Sequence, residues 1–155
     1  MTGYPLGLYL LGRCYTFNTN DTFIALTMHF GEHITIDGYD GDYALLNSRE
    51  TLLACFTELL NLLDMHALSE VVILEAPDNQ IKDPGGWSGY VIIAESHVSI
   101  HTFPKRRFVS ADVYTCKNGM DEKLIVDFFR EKFLLGDVET NFIIRGKKYP
   151  EHNLA

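Results

Sequence analysis

Hydrophobic and polar positions follow two periods along this chain, and the clearest is a period of two near its middle. Residues 90–94, Tyr-Val-Ile-Ile-Ala, form an almost wholly apolar run that reads as a buried strand. It delivers Glu95 and Ser96 to a boundary between core and polar cleft. Beyond them, Val98, Ile100 and Thr102 fall on one face of an extended segment, while His97, Ser99, His101 and Phe103 fall on the other. Residues 108–116 alternate in the same way, with Val109, Ala111, Val113 and Thr115 against Ser110, Asp112, Tyr114 and Cys116. A hairpin over Pro104-Lys105-Arg106-Arg107 would lay these two strands side by side and bring Cys116 towards Ser96. Residues 33–37 form another alternating strand, broken by Gly38-Tyr39-Asp40-Gly41. Residues 71–74 and 138–144 complete the extended set.

Two stretches follow the helical period instead. Asn47, with Glu50 three residues on, predicts a capping box ahead of Leu52, Leu53, Phe56, Leu59, Leu60 and Leu63, with the helix ending near Asp64. His66, just past it, is placed to favour the helix's negative end. Residues 121–133 put Leu124, Ile125, Phe128, Phe129 and Phe133 on one stripe, with Gly136 positioned to end the helix. Between these blocks, residues 77–86 form a polar loop that leads through Trp87-Ser88-Gly89 into the apolar strand. Two aromatic-rich stretches, 8–17 and 23–30, flank the polar Asn18-Thr19-Asn20-Asp21 and suggest a hairpin or a strand and loop. The pattern predicts one α+β domain over residues 1–155, a two-layer α/β sandwich whose largely antiparallel sheet carries both helices on one face. Residues 1–31 are expected to be an N-terminal extension of it.

Composition narrows the class of partner. A formal charge of −8 over 155 residues leaves no basic patch for nucleic acid or an anionic membrane, and suits a small cationic substrate better. No apolar run reaches the roughly 20 residues a bilayer requires, and residues 1–11 lack the basic start of a secretory signal, so the expected location is cytoplasmic. Cys14, Cys55 and Cys116 have neither metal-ligand spacing nor an even count. They are expected to be reduced thiols with no metal, Cys55 being a small core residue on the apolar side of its helix.

The chemistry-bearing residues cluster from 87 to 116, where a hydroxyl, two imidazoles and a thiol are expected to converge. The stretch Ala94-Glu95-Ser96-His97-x-Ser99-Ile100-His101-Thr102-Phe103-Pro104, followed by Ala111-Asp112-Val113-Tyr114-Thr115-Cys116, closely resembles the self-processing motif of the prokaryotic S-adenosylmethionine decarboxylases. The resemblance runs more weakly from about residue 33 to 150. It implies a two-layer sandwich that pairs into a homodimer of processed protomers, and a decarboxylase of polyamine synthesis. Decarboxylating an amino acid needs an electron sink, which side chains do not provide. The resemblance implies a covalent pyruvoyl group made from Ser96 by cleavage of the chain between Glu95 and Ser96. Matching positions make Ser88 the donor to the oxyanion, His101 the base for the α-proton, and Cys116 the proton donor in turnover. His97 and Ser99 would line the cleft or support it.

Two positions depart from the family pattern. Lys105 stands where the family usually has a glutamate that accepts from the substrate ribose, and an ammonium has no acceptor. Lys82 stands in the loop region where many members have a phenylalanine that stacks on adenine; a lysine there could still make a cation–π contact. The expected ligand is a small amine-bearing acid, S-adenosylmethionine by resemblance. Arginine or ornithine is the alternative for a relative with an altered pocket, and an unprocessed regulatory homologue is the non-catalytic alternative.

Overall fold

The computed structural model describes residues 29–150 and 152–154, together with the backbone of two short strands, β1 (Leu8–Leu10) and β2 (Arg13–Tyr15), which pair antiparallel. A hairpin therefore lies inside the first aromatic stretch, while the expected turn at residues 18–21 falls outside the described residues. From there the order is β3 (Gly31–Tyr39), α1 (Tyr43–Leu46), α2 (Arg49–Leu62), β4 (Val72–Ala76), β5 (Gly86–Ile93), β6 (Ser96–Phe103), β7 (Phe108–Thr115), α3 (Glu122–Phe133) and β8 (Asp137–Arg145). Strands β3 to β8 form a six-stranded sheet in the order β4-β5-β6-β7-β3-β8. Every neighbouring pair is antiparallel.

The alternation in the sequence becomes the two faces of this sheet. Ile34, Ile36, Val91, Ile93, Val98, Ile100, Val109, Ala111 and Val113 point one way and are fully or almost fully buried beneath α2 and α3. Helix α2 contributes Leu52, Cys55, Phe56, Leu59 and Leu60 to this layer, and α3 contributes Ile125, Phe129 and Phe133. The helices thus cover one face, and the expected α+β sandwich is the observed architecture. Burial also pushes the Cys55 thiol well above its ordinary pKa, keeping it a protonated, inert core group. The opposite face is open, with rows of side chains running across the strands in register. One row joins Ile92, His97, Tyr114, His33 and Ile143, and another joins Ser88, His101, Ser110, Asp37 and Glu139.

Three local expectations shift. Gly38 does not break β3 but lies inside it, because a side chain there would press within 2.5 Å of Leu135 and 2.9 Å of Val109. The turn comes at Asp40, whose φ is 55°. The cap of α2 is Ser48 rather than Asn47: Ser48 accepts from the Thr51 N–H at 3.0 Å, while Asn47 ends the short α1. Strand β5 starts at Gly86, earlier than the apolar run, since Trp87 is anchored by its indole N–H on the Asn47 carbonyl at 3.0 Å.

Glu32 closes the end of the sheet at which β3 begins, in register with Thr115. Only 5% exposed, it accepts from the N–H groups of Gly119 and Met120 at 3.0 and 2.7 Å and meets His29 at 3.1 Å. Burial pushes its pKa up, but the two backbone donors and His29 outweigh that and hold it below the usual carboxylate value. Because its folded pKa is depressed, its contribution to stability is present above the unfolded carboxylate pKa and is lost as pH falls through the folded value. Glu32→Gln is expected to lose about 1–3 kcal/mol at neutral pH and to show a flatter acid dependence. Urea midpoints of both proteins at neutral and acidic pH check this.

Candidate active site

The β5–β6 hairpin turns through Ala94 and Glu95, so Ser96 is the first residue of the returning strand. Its φ is 147°, a backbone conformation that suits glycine and is strained for serine. The carbonyl of Glu95, the acyl half of the peptide bond joining it to Ser96, accepts from the Cys116 N–H at 2.7 Å. Cys116, one residue past the end of β7, is exposed. Ser96, the Glu95 carbonyl and Cys116 are therefore assembled at one end of the sheet, as the sequence predicts.

The carboxylate of Glu95 is also held. Its side chain is 10% exposed, with Oε1 2.9 Å from His66 Nδ1 and 3.9 Å from Lys117 Nζ. The His66 backbone N–H donates to Oε2 at 3.1 Å. Hydrogen bonding from the His66 ring is the main influence on this carboxylate; with the His66 backbone donor it outweighs desolvation and keeps the pKa below its ordinary value. His66 and Lys117 have no part in the motif that picks out this region. Lys117 directly follows Cys116, whereas His66, read from the sequence only as a residue favouring the helix's negative end, lies 29 residues from the carboxylate its ring and N–H meet.

Ser88 and His101 face each other across β5 and β6, with Ser88 Oγ 2.9 Å from His101 Nδ1. They sit together, but not with Ser96. Five residue steps along the strand take Ser96 to His101, roughly 16 Å at the usual rise per residue. Moreover, Ser96 pairs with Ile93 and Thr115 in the register of the helix-covered face, while Ser88 and His101 lie on the open one. The expected convergence of hydroxyl, imidazoles and thiol does not occur within one chain. Period-two spacing puts residues on a face but says nothing of their separation along it. His97 and Ser99 are likewise on the open face: His97 packs edge-on to Tyr114, with ring centroids 5.5 Å apart, and Ser99 donates to Asp112 at 3.3 Å. Asp112 also meets His33 at 2.9 Å, and Arg145 lies over the Tyr114 ring at 4.7 Å.

The two lysines that mark the departures part company. Lys105 donates to Asp78 at 3.2 Å and lines a cleft with Tyr43, Glu75 and Trp87. The Gln80 N–H and then Lys105 hold the Asp78 carboxyl below its ordinary pKa. Lys82 lines a different cleft, on the open face, with His101, Phe103, Phe108 and Ser110. Arg106 lines it too, so this residue of the basic turn is a pocket wall. Arg107 instead donates to the Gly41 carbonyl at 2.8 Å. Among the described residues no cluster of three or more His, Cys, Asp or Glu is placed to hold a metal ion, and no helix is long and apolar enough to cross a membrane.

A family model described as S-adenosylmethionine decarboxylase matches residues 32–146. The chain belongs to this family. A protein named S-adenosylmethionine decarboxylase proenzyme from Clostridium botulinum is 30% identical over 117 residues, 76% of this chain and 95% of that one. A protein of the same name from Thermococcus gammatolerans is 30% identical over 116 residues, 75% of this chain and 76% of its own length. The crystal structure of the adenosylmethionine decarboxylase from Aquifex aeolicus superposes with a TM-score of 0.65 at 24% identity, covering 76% of this chain and 92% of that one. That likeness carries the fold. For this S-adenosylmethionine decarboxylase family member, the motif from Ala94 to Cys116 starts at the β5–β6 hairpin tip and finishes just past β7, where Ser96 stands at φ 147° and the Glu95 carbonyl accepts from the Cys116 N–H.

Proposed function

We propose that the chain is the precursor of a self-processing, pyruvoyl-dependent decarboxylase acting on a small amine-bearing acid. The carrying observation is the peptide between Glu95 and Ser96: its carbonyl oxygen is on the Cys116 N–H at 2.7 Å, and its serine stands at φ 147°. In this reading Ser96 Oγ attacks the Glu95 carbonyl carbon. The C–N bond breaks, the nitrogen takes the hydroxyl proton, and an ester replaces the peptide. A backbone donor on the carbonyl oxygen is suited to the oxyanion that forms on the way. Removal of the Ser96 α-proton then expels Glu95 as a carboxylate. The resulting dehydroalanine tautomerises and takes up water, releases ammonia and leaves a pyruvoyl group.

That group supplies a carbonyl able to condense with the substrate amine and accept the electron pair left by carbon dioxide. Ser96 at a chain turn beside exposed Cys116 fits its formation. Cys116, a free and exposed thiol one residue past β7, is the proton donor in turnover.

The Ser88–His101 pair supports a homodimer in which each site is composite. One chain's pair lies roughly 16 Å along the strand from its own Ser96, so a second copy, stacked open face to open face, is the source of the donor and base. Tyr90, Ile92, Leu74 and Ile143 are exposed large apolar residues on that face, and a two-fold axis makes such a patch self-complementary.

S-adenosylmethionine is the default substrate, because relatives bearing that name match over most of the chain. A second reading, a free amino acid such as arginine or ornithine, is favoured by one observation. Lys105, tied to Asp78, offers donors and no acceptor where a ribose would need one, and these amino acids have no ribose. Denaturing mass spectrometry of the purified protein is expected to give two fragments, residues 1–95 and 96–155, the latter with a carbonyl reactive towards a hydrazide. Carbon dioxide release from each candidate then assigns the substrate. A persistently intact chain would reject the enzyme in favour of the non-catalytic homologue.

A further inference from the structure

We propose that His66, assisted by Lys117, is a positioning residue for self-cleavage: it clamps the Glu95 side chain and so fixes the carbonyl that Ser96 attacks. The inference rests on the self-cleavage reading above and adds a part that the motif does not contain. Residue 66 is tied to the hairpin tip three times. Its carbonyl accepts from the Ala94 N–H at 2.8 Å, its N–H donates to Glu95 Oε2 at 3.1 Å, and its ring meets Glu95 Oε1 at 2.9 Å. The next residues extend the attachment, Ala67 bridging Ile93 and the Leu68 N–H donating to the Ile92 carbonyl at 2.8 Å.

Lys117 closes the other side. It donates through Nζ to the Asp64 carbonyl, its N–H donates to Thr115 Oγ1 at 3.0 Å, and Nζ stands 3.9 Å from Glu95 Oε1. Glu95 is thus held at its side chain by residues 66 and 117, at its carbonyl by the Cys116 N–H, and on its far side by a serine in a strained conformation. A turn residue free to rotate would relieve that strain by swinging its carbonyl away from both Ser96 Oγ and the Cys116 donor. A fixed acyl group holds the reacting atoms in line, and misplacement by about 1 Å can cost on the order of a hundredfold in rate. Charge acts in the same direction. Cleavage turns the Glu95 carbonyl into a second carboxylate close to the first, and the Lys117 ammonium, 3.9 Å from Glu95 Oε1, is the cation placed to offset them.

The test is a time course of cleavage in full-length chains made in a cell-free system, read by intact mass, with hydroxylamine added to a parallel sample to capture the ester as a Glu95 hydroxamate. His66→Ala is expected to slow cleavage about tenfold or more and to lower the captured ester in proportion. His66→Asn, which keeps a side-chain N–H near the position of Nδ1, should regain most of the rate. Met65→Ala serves as the control, because Met65 is buried in the same turn and takes no part in the hydrogen bonds and ion pair that hold Glu95; it is expected to lower the melting temperature and cleave within threefold of the parent. If His66→Ala cleaves within threefold of the parent, or if its loss merely matches that of Met65→Ala at equal stability, the clamp is wrong although self-cleavage stands. If the parent chain itself never cleaves, the self-cleavage reading falls first and the clamp with it.

Discussion

Ser96→Ala is expected to yield a single chain of 17.6 kDa and no measurable decarboxylation of any amine-bearing acid. The substitution removes one oxygen, yet that oxygen is both the nucleophile that opens the peptide and the atom later expelled with Glu95. The group that meets the Glu95 carbonyl from across the sheet is the Cys116 backbone N–H, a donor and not a nucleophile. Cys116→Ala should behave differently. Alanine keeps that N–H, so the contact on the Glu95 carbonyl survives and two fragments still appear, while turnover falls about 10²–10⁴-fold through loss of the proton donor. Intact mass and carbon dioxide release on the same samples separate the two effects. A cleaved Ser96→Ala chain, or equal loss of cleavage in both variants, would remove the roles assigned to these residues.

The contrast rests on a backbone contact that no sequence pattern displays, and it marks where sequence reading stops. Alternation placed Val98, Ile100 and Thr102 in the core and His97, Ser99 and His101 on the open face, because the side-chain period of a strand is fixed by its geometry. The helix stripes were equally legible: Phe56, Phe129 and Phe133 are fully buried. Position along a strand was less so. The residues between Ser96 and His101 separate them by roughly 16 Å, so a motif continuous in sequence becomes two sites in one chain. Adjacent residues of similar chemistry blurred the cap, since Asn47 and Ser48 can both accept from a helix N-terminus, and which one does is settled by α1 ending at Asn47. Gly38 read as a turn because its reason for being glycine, the approach of Leu135, comes from about a hundred residues away. The pairings of His66 and Lys105 were hidden for the same cause: their partners, Glu95 and Asp78, are 29 and 27 residues distant.

The separation of Ser96 from His101 has a quantitative consequence for two inactive proteins. His101→Ala is expected to lose activity because the pair with Ser88 is broken, and Ser96→Ala because the nucleophile is gone. If each site joins Ser96 of one copy to Ser88 and His101 of the other, co-expressing the two variants makes a mixed dimer with one site bearing both lesions and one bearing neither. Random pairing puts half of the dimers in the mixed form, and one of the two sites in each is whole. Activity should therefore return to about a quarter of the parent's, and about a quarter of all chains, those carrying Ser96 beside an intact partner pair, should be cleaved. Sites built within a single chain would give zero in the same mixture, since every chain then carries one lesion in its own site. Mixing the purified proteins after folding, under conditions where copies do not exchange, should also give zero, so the recovered activity is traced to assembly and not to catalysis between separate dimers. A co-expressed pair that stays inactive while both variants fold would place the donor and base elsewhere, and the open face would lose its assigned occupant.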